Sequence, residues 1–354
     1  MAVTEEEYEG LVLLPGLPNE VALQCIIRVA RRCHAALRCV CRAWRKLLAS
    51  PSFYHMRQTQ SLMAEEWLYV MLRTHWGEYR WLSFEEGGGG VRCWRPLPPM
   101  PLHSIGAACA SLGSKIYLIG GSHGGSASRS VCRYDSRTNR WEMAAQLRVP
   151  REFAAAGSVD GLLYVVGGCS PVAGSLAWAE VYDPLADKWT VVASPVERRE
   201  RWMHGYATLD KKLFAVADTG GVVFDPASAS WNAISAALDR GWRGRAAVVK
   251  GILFSPDYLG KIMGYDLAKD DWQELEGVQL GLPKLTSIVT LCAVSDKLYV
   301  LGERPLRGRE SELAVAAVEV EKGPNRLEGR VLWSHVSPCN MSVAAIIHCL
   351  PVRL

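Results

Sequence analysis

The sequence predicts an all-β propeller of about six four-stranded blades, preceded by a small all-α domain of three helices. Three observations carry that expectation. An aromatic residue and Asp, followed after five residues by Trp, recur as Tyr134-Asp135 with Trp141, Tyr182-Asp183 with Trp189, Phe224-Asp225 with Trp231, and Tyr265-Asp266 with Trp272. The tryptophans are spaced by 48, 42 and 41 residues, a period characteristic of solenoids and propellers. Runs of β-branched and aromatic residues stand before the pairs or recur beyond them: Lys115 to Gly121, Leu162 to Gly168, Lys212 to Ala217 and Lys297 to Gly302, and these read as buried strands. Residues 13 to 57 lack this texture, and there the apolar residues recur every three or four positions, as amphipathic helices require.

Taken in chain order, residues 1–10 form an acidic tail containing Glu5, Glu6, Glu7 and Glu9. Residues 11–56 form the helical domain. Pro18 suits a helix start, with Asn19 as its cap and Glu20 in the first turn, and Pro51 ends the last helix. A linker spans 57–66, and the propeller spans 67–354. Trp67 to Val70, Tyr79 to Phe84 and Trp94 make a first unit without its innermost strand. Small-residue runs such as Gly106 to Ala110 and Ala154 to Gly157 suit innermost strands crowded about an axis. A sixth unit holds Lys297 to Gly302, Val318 to Val320 and Trp333. The terminal apolar run Ser342 to Leu350 supplies the strand missing from the first unit and closes the ring. The double glycine is displaced in the third repeat, where Ala217-Asp218 precedes Gly220-Gly221, and absent from the fourth at Ile252 to Pro256.

Composition narrows the function. Forty basic against 36 acidic residues leave a net charge of +4, too little for bulk electrostatic binding to nucleic acid, and no apolar run reaches the length of a membrane helix. The acidic start reads against a secretory signal. Eleven cysteines without a C-x-x-C pair read as reduced thiols, so the expected location is the cytoplasm or the nucleus.

With its Gly-Gly, Tyr-Asp and Trp arrangement, the repeat resembles the kelch family. Leu17-Pro18-Asn19-Glu20-Val21 and Val40-Cys41-Arg42-Ala43-Trp44-Arg45-Lys46-Leu47 resemble the opening and closing motifs of an F-box. Together they resemble an F-box/kelch-repeat protein of the kind common in plants, over nearly the whole chain. The resemblance implies a non-catalytic substrate receptor of an SCF-type ubiquitin ligase. Its F-box would bind the Skp adaptor, and through it the cullin and RING subunits, while the propeller presents a protein for ubiquitylation and degradation. Carried over residue by residue, it places adaptor contacts on Leu17, Pro18, Val21, Ile26, Val40, Trp44 and Leu47. The bland reading makes these the core of a small helical domain. A kelch scaffold that holds a partner without ubiquitylating it is the alternative function.

Catalytic chemistry is not expected. Cys33, His34, Cys39 and Cys41 are dense, but on one helix Cys39 and Cys41 project about 200° apart and cannot share a tetrahedral ion, so core thiols are expected and no metal or cofactor. The glycine-rich stretches Gly87 to Gly90 and Gly120 to Gly125 lack a P-loop ending and read as turns. Arg28, Arg31, Arg32, Arg38, Arg42 and Arg45 read as a solvated basic helix face or one that steers towards an acidic partner, rather than as a nucleic-acid surface. The candidate substrate site lies in the connections before the innermost strands, which carry Arg148 and Arg151; Arg198, Arg199, Arg201, Trp202 and His204; and Arg240, Trp242, Arg243 and Arg245. Arg148, Arg151, Arg201, Trp202, His204, Trp242, Arg243 and Arg245 are expected to form a basic, Trp-bearing pocket for an acidic or phosphorylated segment of a protein substrate. Solvated loops partly neutralised by Glu197, Glu200 and Asp239 are the competing reading.

Overall fold

The computed structural model describes residues 12–59, 65–86, 90–102, 104–168, 177–194, 202–203, 205–218, 220–242, 244–285, 289–306, 311–324, 326–337 and 343–353. The helical segment contains four α-helices: α1 (Asn19–Ile27), α2 (His34–Val40), α3 (Arg42–Leu47) and α4 (Pro51–Thr59), with a 3-10 turn at Arg31–Cys33. This exceeds the expected three because Pro51 begins a helix instead of ending one; its missing N–H falls where a helix has no partner for it. Asn19 does not cap α1: its Oδ1 accepts from the Leu13 N–H at 3.0 Å. Cys41 is extended, breaks α2 from α3, and accepts the Trp44 N–H on its Sγ. The expectation of one helix carrying Cys39 and Cys41 is therefore corrected. Both thiols, with Cys25, are exposed rather than core.

Ala22, Ile26, Ile27, Leu47, Leu48, Phe53 and Tyr54 close the helical core. Arg57, placed by sequence in the linker, lies in α4 and is fully buried. Its Nη1 donates to the carbonyls of Ile27 (2.5 Å) and Val29 (2.7 Å), and its Nη2 meets Glu65 at 3.2 Å. A cation at the carboxyl end of α1 satisfies acceptors the helix cannot and opposes its dipole.

The rest of the described chain is built of antiparallel meanders. Three sheets are consecutive four-stranded units starting at Ala108–Leu112, Ala155–Val159 and Gly205–Leu209. A fourth joins Glu66–Thr74, Tyr79–Glu86 and Arg92–Pro96 to Val343–Arg353, which pairs with Glu66–Thr74 as the innermost strand. The remaining two units are not separate: Asp271–Glu276 and Leu327–Val336 pair in parallel at Leu275/Leu327 and Glu276/Glu328, making one eight-stranded sheet. Innermost strands contact one another in sequence from Ala108–Leu112 through Val289–Val294 to Val343–Arg353 and back.

The recurring motif explains how neighbouring units lock. Tyr134, Tyr182, Phe224 and Tyr265 each lie directly across the hairpin from the repeat Trp. The Asp that follows accepts a turn N–H two residues on, at 2.8–3.1 Å, from Arg137, Leu185, Ala227 and Ala268. Each indole N–H then reaches a carbonyl upstream of its own unit: Trp141 to Pro98 (3.0 Å), Trp189 to Ala145 (2.9 Å), Trp231 to Ala193 (2.7 Å) and Trp272 to Ala237 (2.9 Å). Apolar wedging and one directional bond thus come from the same side chain.

Gly120 and Gly121 take φ of +65° and +87°, and a Cβ on Gly120 would stand 2.4 Å from the Arg151 carbonyl oxygen. Only glycine fits both that conformation and that approach. The stretch that follows is a short hairpin, Ser122–His123 with Ser126–Ala127. Gly87 to Gly89 lie outside the described residues.

Candidate functional site

Two surfaces hold the sequence-predicted residues. In the helical segment the seven adaptor candidates separate by burial. Leu17, Val21 and Val40 are 43–61% exposed, and Pro18 is exposed beside them. Ile26 and Leu47 are buried in the helical core, which corrects their assignment to an interface. Amphipathic spacing put them in the same list because it does not distinguish the two sides of a small bundle. Trp44 is half-buried, and its indole N–H holds the Leu13 carbonyl at 2.6 Å, fixing the chain that presents Leu17 and Pro18.

At the propeller axis the expected basic pocket is only partly assembled. Arg151 is fully buried and not a surface group. Its guanidinium pairs with buried Glu180 at 2.9 Å and donates to the carbonyls of Gly167 (2.5 Å), Trp178 (2.7 Å) and Ala177. The N–H groups of Arg148 and Val149 also donate to Glu180. Fixing this connection is a structural task, and a charge so deep persists only because every donor finds an acceptor. Trp242 is likewise buried, its indole N–H on the Gly244 carbonyl at 2.7 Å, and it follows α5 (Ala236–Gly241), a helix the sequence reading did not include. Exposed Arg148 donates from Nε to the Trp189 carbonyl at 3.2 Å. Arg198, Arg199, Arg201, His204 and Arg243 lie outside the described residues.

Arg245 enters the channel. Its Nη1 lies 2.6 Å from Nδ1 of buried His348, so the imidazole accepts and stays neutral. Burial, and then the Arg245 charge, hold its pKa far below the ordinary value against a hydrogen bond to the Ala107 backbone. Tyr206 donates to the Cys109 carbonyl at 3.0 Å. Both bonds skip the intervening inner strand. Beside them is a cavity of about 180 Å³ whose lining includes Ser111, Ser158 and Thr208. These hydroxyls hold the same position in three successive inner strands, opposite Ile116, Leu163 and Leu213. A guanidinium and hydroxyl groups, with no carboxylate among the described lining residues, suit an oxyanion.

Sequence reasoning missed the apolar part of this face. Trp202, which it named, is exposed and meets Phe153 edge-on at 5.9 Å between ring centroids. Exposed Ile105 stands in the connection before. Phe153 has φ of +53°, a costly conformation for a bulky side chain. It is held by its N–H on the Gly106 carbonyl (2.6 Å) and its carbonyl on the Met203 N–H (2.8 Å). Its ring occupies the place a Cβ on Gly106 would take. Gly106 was the one available signal, and it does not reveal which residue packs on it. His348, hidden in the terminal apolar run, gave none.

Comparison with known proteins agrees with these two parts. The F-box domain model matches residues 14–56, and the model described as FKB95, Kelch-repeats domain, matches residues 90–337. Among relatives from Arabidopsis thaliana, one F-box/kelch-repeat protein is 30% identical over 306 residues, covering 76% of this chain and 74% of that protein. Another is 25% identical over 377 residues, covering 96% and 97%. The solved structure titled "Structure of YjhT" superposes with a TM-score of 0.51 at 12% identity over 71% of this chain and 91% of that one, a likeness of fold alone. The chain has F-box helices at its N-terminal side followed by a kelch β-propeller-like all-β domain, and it belongs to the F-box/kelch-repeat family.

Proposed function

We propose that this protein is a non-catalytic substrate receptor of an SCF-type ubiquitin ligase. Its F-box binds the Skp adaptor and so the cullin and RING subunits, and its propeller presents a protein target for ubiquitylation. The observation that carries this reading is that Leu17, Pro18, Val21 and Val40 are left exposed while Ile26, Ile27, Leu47, Leu48 and Phe53 close the helical core. Leu17, Pro18 and Val21 lie within five residues at the start of α1, and exposed apolar residues so clustered suit a surface that a partner covers. We read the eight-stranded sheet as two units joined at Leu275/Leu327, which supports a propeller of six blades. On the channel face the rings of Phe153 and Trp202 supply the apolar anchor, and Arg148 and Arg245 attract an acidic or phosphorylated segment of the target. Nine described cysteines are free thiols, which supports residence in the reducing cytoplasm or nucleus.

The test is co-expression with a Skp adaptor and size exclusion of wild type against Leu17→Ala plus Pro18→Ala. Wild type is expected to co-elute with the adaptor and the variant to elute alone. If wild type also elutes alone, the ligase reading falls and a scaffold that binds partners without ubiquitylation takes its place. On the propeller, charge reversal at Arg148 and Arg245 is expected to remove co-purifying targets; an unchanged set would end the acidic-segment reading.

A further inference from the structure

The helical segment does not display a solvated arginine face towards the propeller. Arg38 Nη2 donates to the Leu48 carbonyl at 2.8 Å and also to the Arg137 carbonyl, in the turn of the unit that begins at Ala108. Tyr54 donates to the same two carbonyls, at 3.1 and 3.3 Å. The Arg31 guanidinium stacks over Tyr54 and Trp67 at 5.6 and 5.8 Å from the ring centroids. Between the two parts lies a crevice of about 340 Å³, walled by Arg31, Arg32 and Arg38 on the helical side and by Arg95 and Arg137 on the propeller side.

The charges in this crevice do not balance. Arg95 is paired with Glu85 at 2.7 Å and Arg137 with Asp135 at 2.7 Å. Arg31, Arg32 and Arg38 have no carboxylate within ion-pair distance among the described residues, and the buried Nε of Arg38 has no hydrogen-bond partner. Like charges in a partly desolvated cleft repel more strongly than in water. Stacking and main-chain bonds nevertheless hold Arg31 and Arg38 in place, so the cost of ordering them is met before any ligand arrives. Ser83, Ser136 and Asn139 add neutral hydrogen-bonding groups to the same wall. We propose that this crevice is a binding site for a small polyanion bearing at least two phosphate or carboxylate groups, which bridges the F-box helices to the propeller and stiffens their junction. Its volume lies in the range of small-molecule sites, and guanidinium forks are the donors best matched to such groups. The inference stands apart from the adaptor reading, because it uses none of the residues assigned to the adaptor.

The experiment uses the purified full chain, with tripolyphosphate and citrate as probes and sodium chloride of equal ionic strength as reference. Binding is read by calorimetry and by thermal unfolding. Tripolyphosphate, citrate or both are expected to bind and to raise the melting temperature beyond the salt reference; the probe that binds more tightly identifies the preferred anionic group. Arg32→Glu, at an exposed position, is expected to weaken binding at least tenfold, while Lys188→Glu, exposed and outside the crevice, stays within twofold of wild type. Binding of neither probe beyond the salt effect would overturn the proposal. So would loss of binding in Lys188→Glu with Arg32→Glu unaffected. The His34 imidazole, which lines the crevice, gives a second readout by NMR, because Arg57, Arg31 and Arg38 add to burial in holding its pKa down. A bound polyanion moves that titration upward, and a titration unmoved at saturating probe would place the anion elsewhere and overturn the assignment.

Discussion

In the regular repeats each tryptophan packs across its own hairpin and ties its indole N–H to the chain before it, whereas in the helical segment Leu17, Val21 and Val40 stay in water. Periodic apolar spacing is common to both regions. The difference is that every propeller unit has a neighbour of the same kind to receive its wedge, and a short helical unit covers one side only. The repeat tryptophans therefore report stability, and on the function proposed above the exposed helical residues report association.

Substitution at the buried ion pair tests the propeller side most severely. Arg151→Ala or Glu180→Ala strands one buried charge and is expected to cost about 3–5 kcal/mol, read as a fall in the urea midpoint with adaptor capture intact below the transition. An unchanged midpoint would mean that the connection does not depend on the pair.

Acid comes next. His34 is buried neutral with its pKa lowered from 6.5 to about 3, first by burial and then by Arg57, and His348 is lowered in the same sense. The unfolded chain takes up protons near pH 6.5 that the folded chain refuses. Stability is therefore full above that pH and declines as pH falls towards 3, by up to about 1.4 kcal/mol per pH unit for each histidine. Urea midpoints at pH 7.5, 6 and 5 should fall in that order, with a shallower slope in His34→Gln; a flat series contradicts the burial of both rings.

A smaller effect separates one repeat from its three fellows. Tyr134 donates to Asn139 (2.7 Å), Tyr182 to Asp187 (2.5 Å) and Tyr265 to Asp270. Phe224 has no hydroxyl, and the corresponding residue is Ala229. All four acceptor positions have φ of 46–57°, which Asn and Asp tolerate better than Ala. Ala229→Asn is expected to stabilise by about 1 kcal/mol. Phe224→Tyr with Ala229→Asp should exceed the sum of its single changes, measured as a double-mutant cycle.

The smallest stability effect belongs to the exposed helical face. Val21→Asp with Val40→Asp should move stability by less than about 0.5 kcal/mol yet abolish adaptor co-elution. A large loss of stability there would mean that these residues are core after all, and the contrast between the two regions would collapse.

Much of this molecule was legible because its determinants are local. The aromatic, Asp and Trp of each repeat lie within one hairpin, so their spacing fixes strand, turn and partner together. The two F-box motifs announce helices for the same reason. Two local readings still failed: Pro51 opens a helix, and Asn19 holds Leu13 instead of capping. In both cases proline or asparagine chemistry allows two outcomes, and contacts elsewhere choose between them.

The sequence by itself determined the repeat, its hairpins and the presence of a helical segment, since the repeat shows in its spacing along the chain and hairpins and helices follow from local periodicity and turn chemistry. Tertiary structure alone decided that Arg151 is sealed against Glu180, that Ile26 is core while Val21 is surface, that Phe153 stands beside Trp202, and that Arg31 and Arg38 face the propeller. The physical reason is that an arginine or an aromatic residue suits a core, a channel or a surface equally well. Which one it occupies depends on what residues dozens to hundreds of positions away bring beside it.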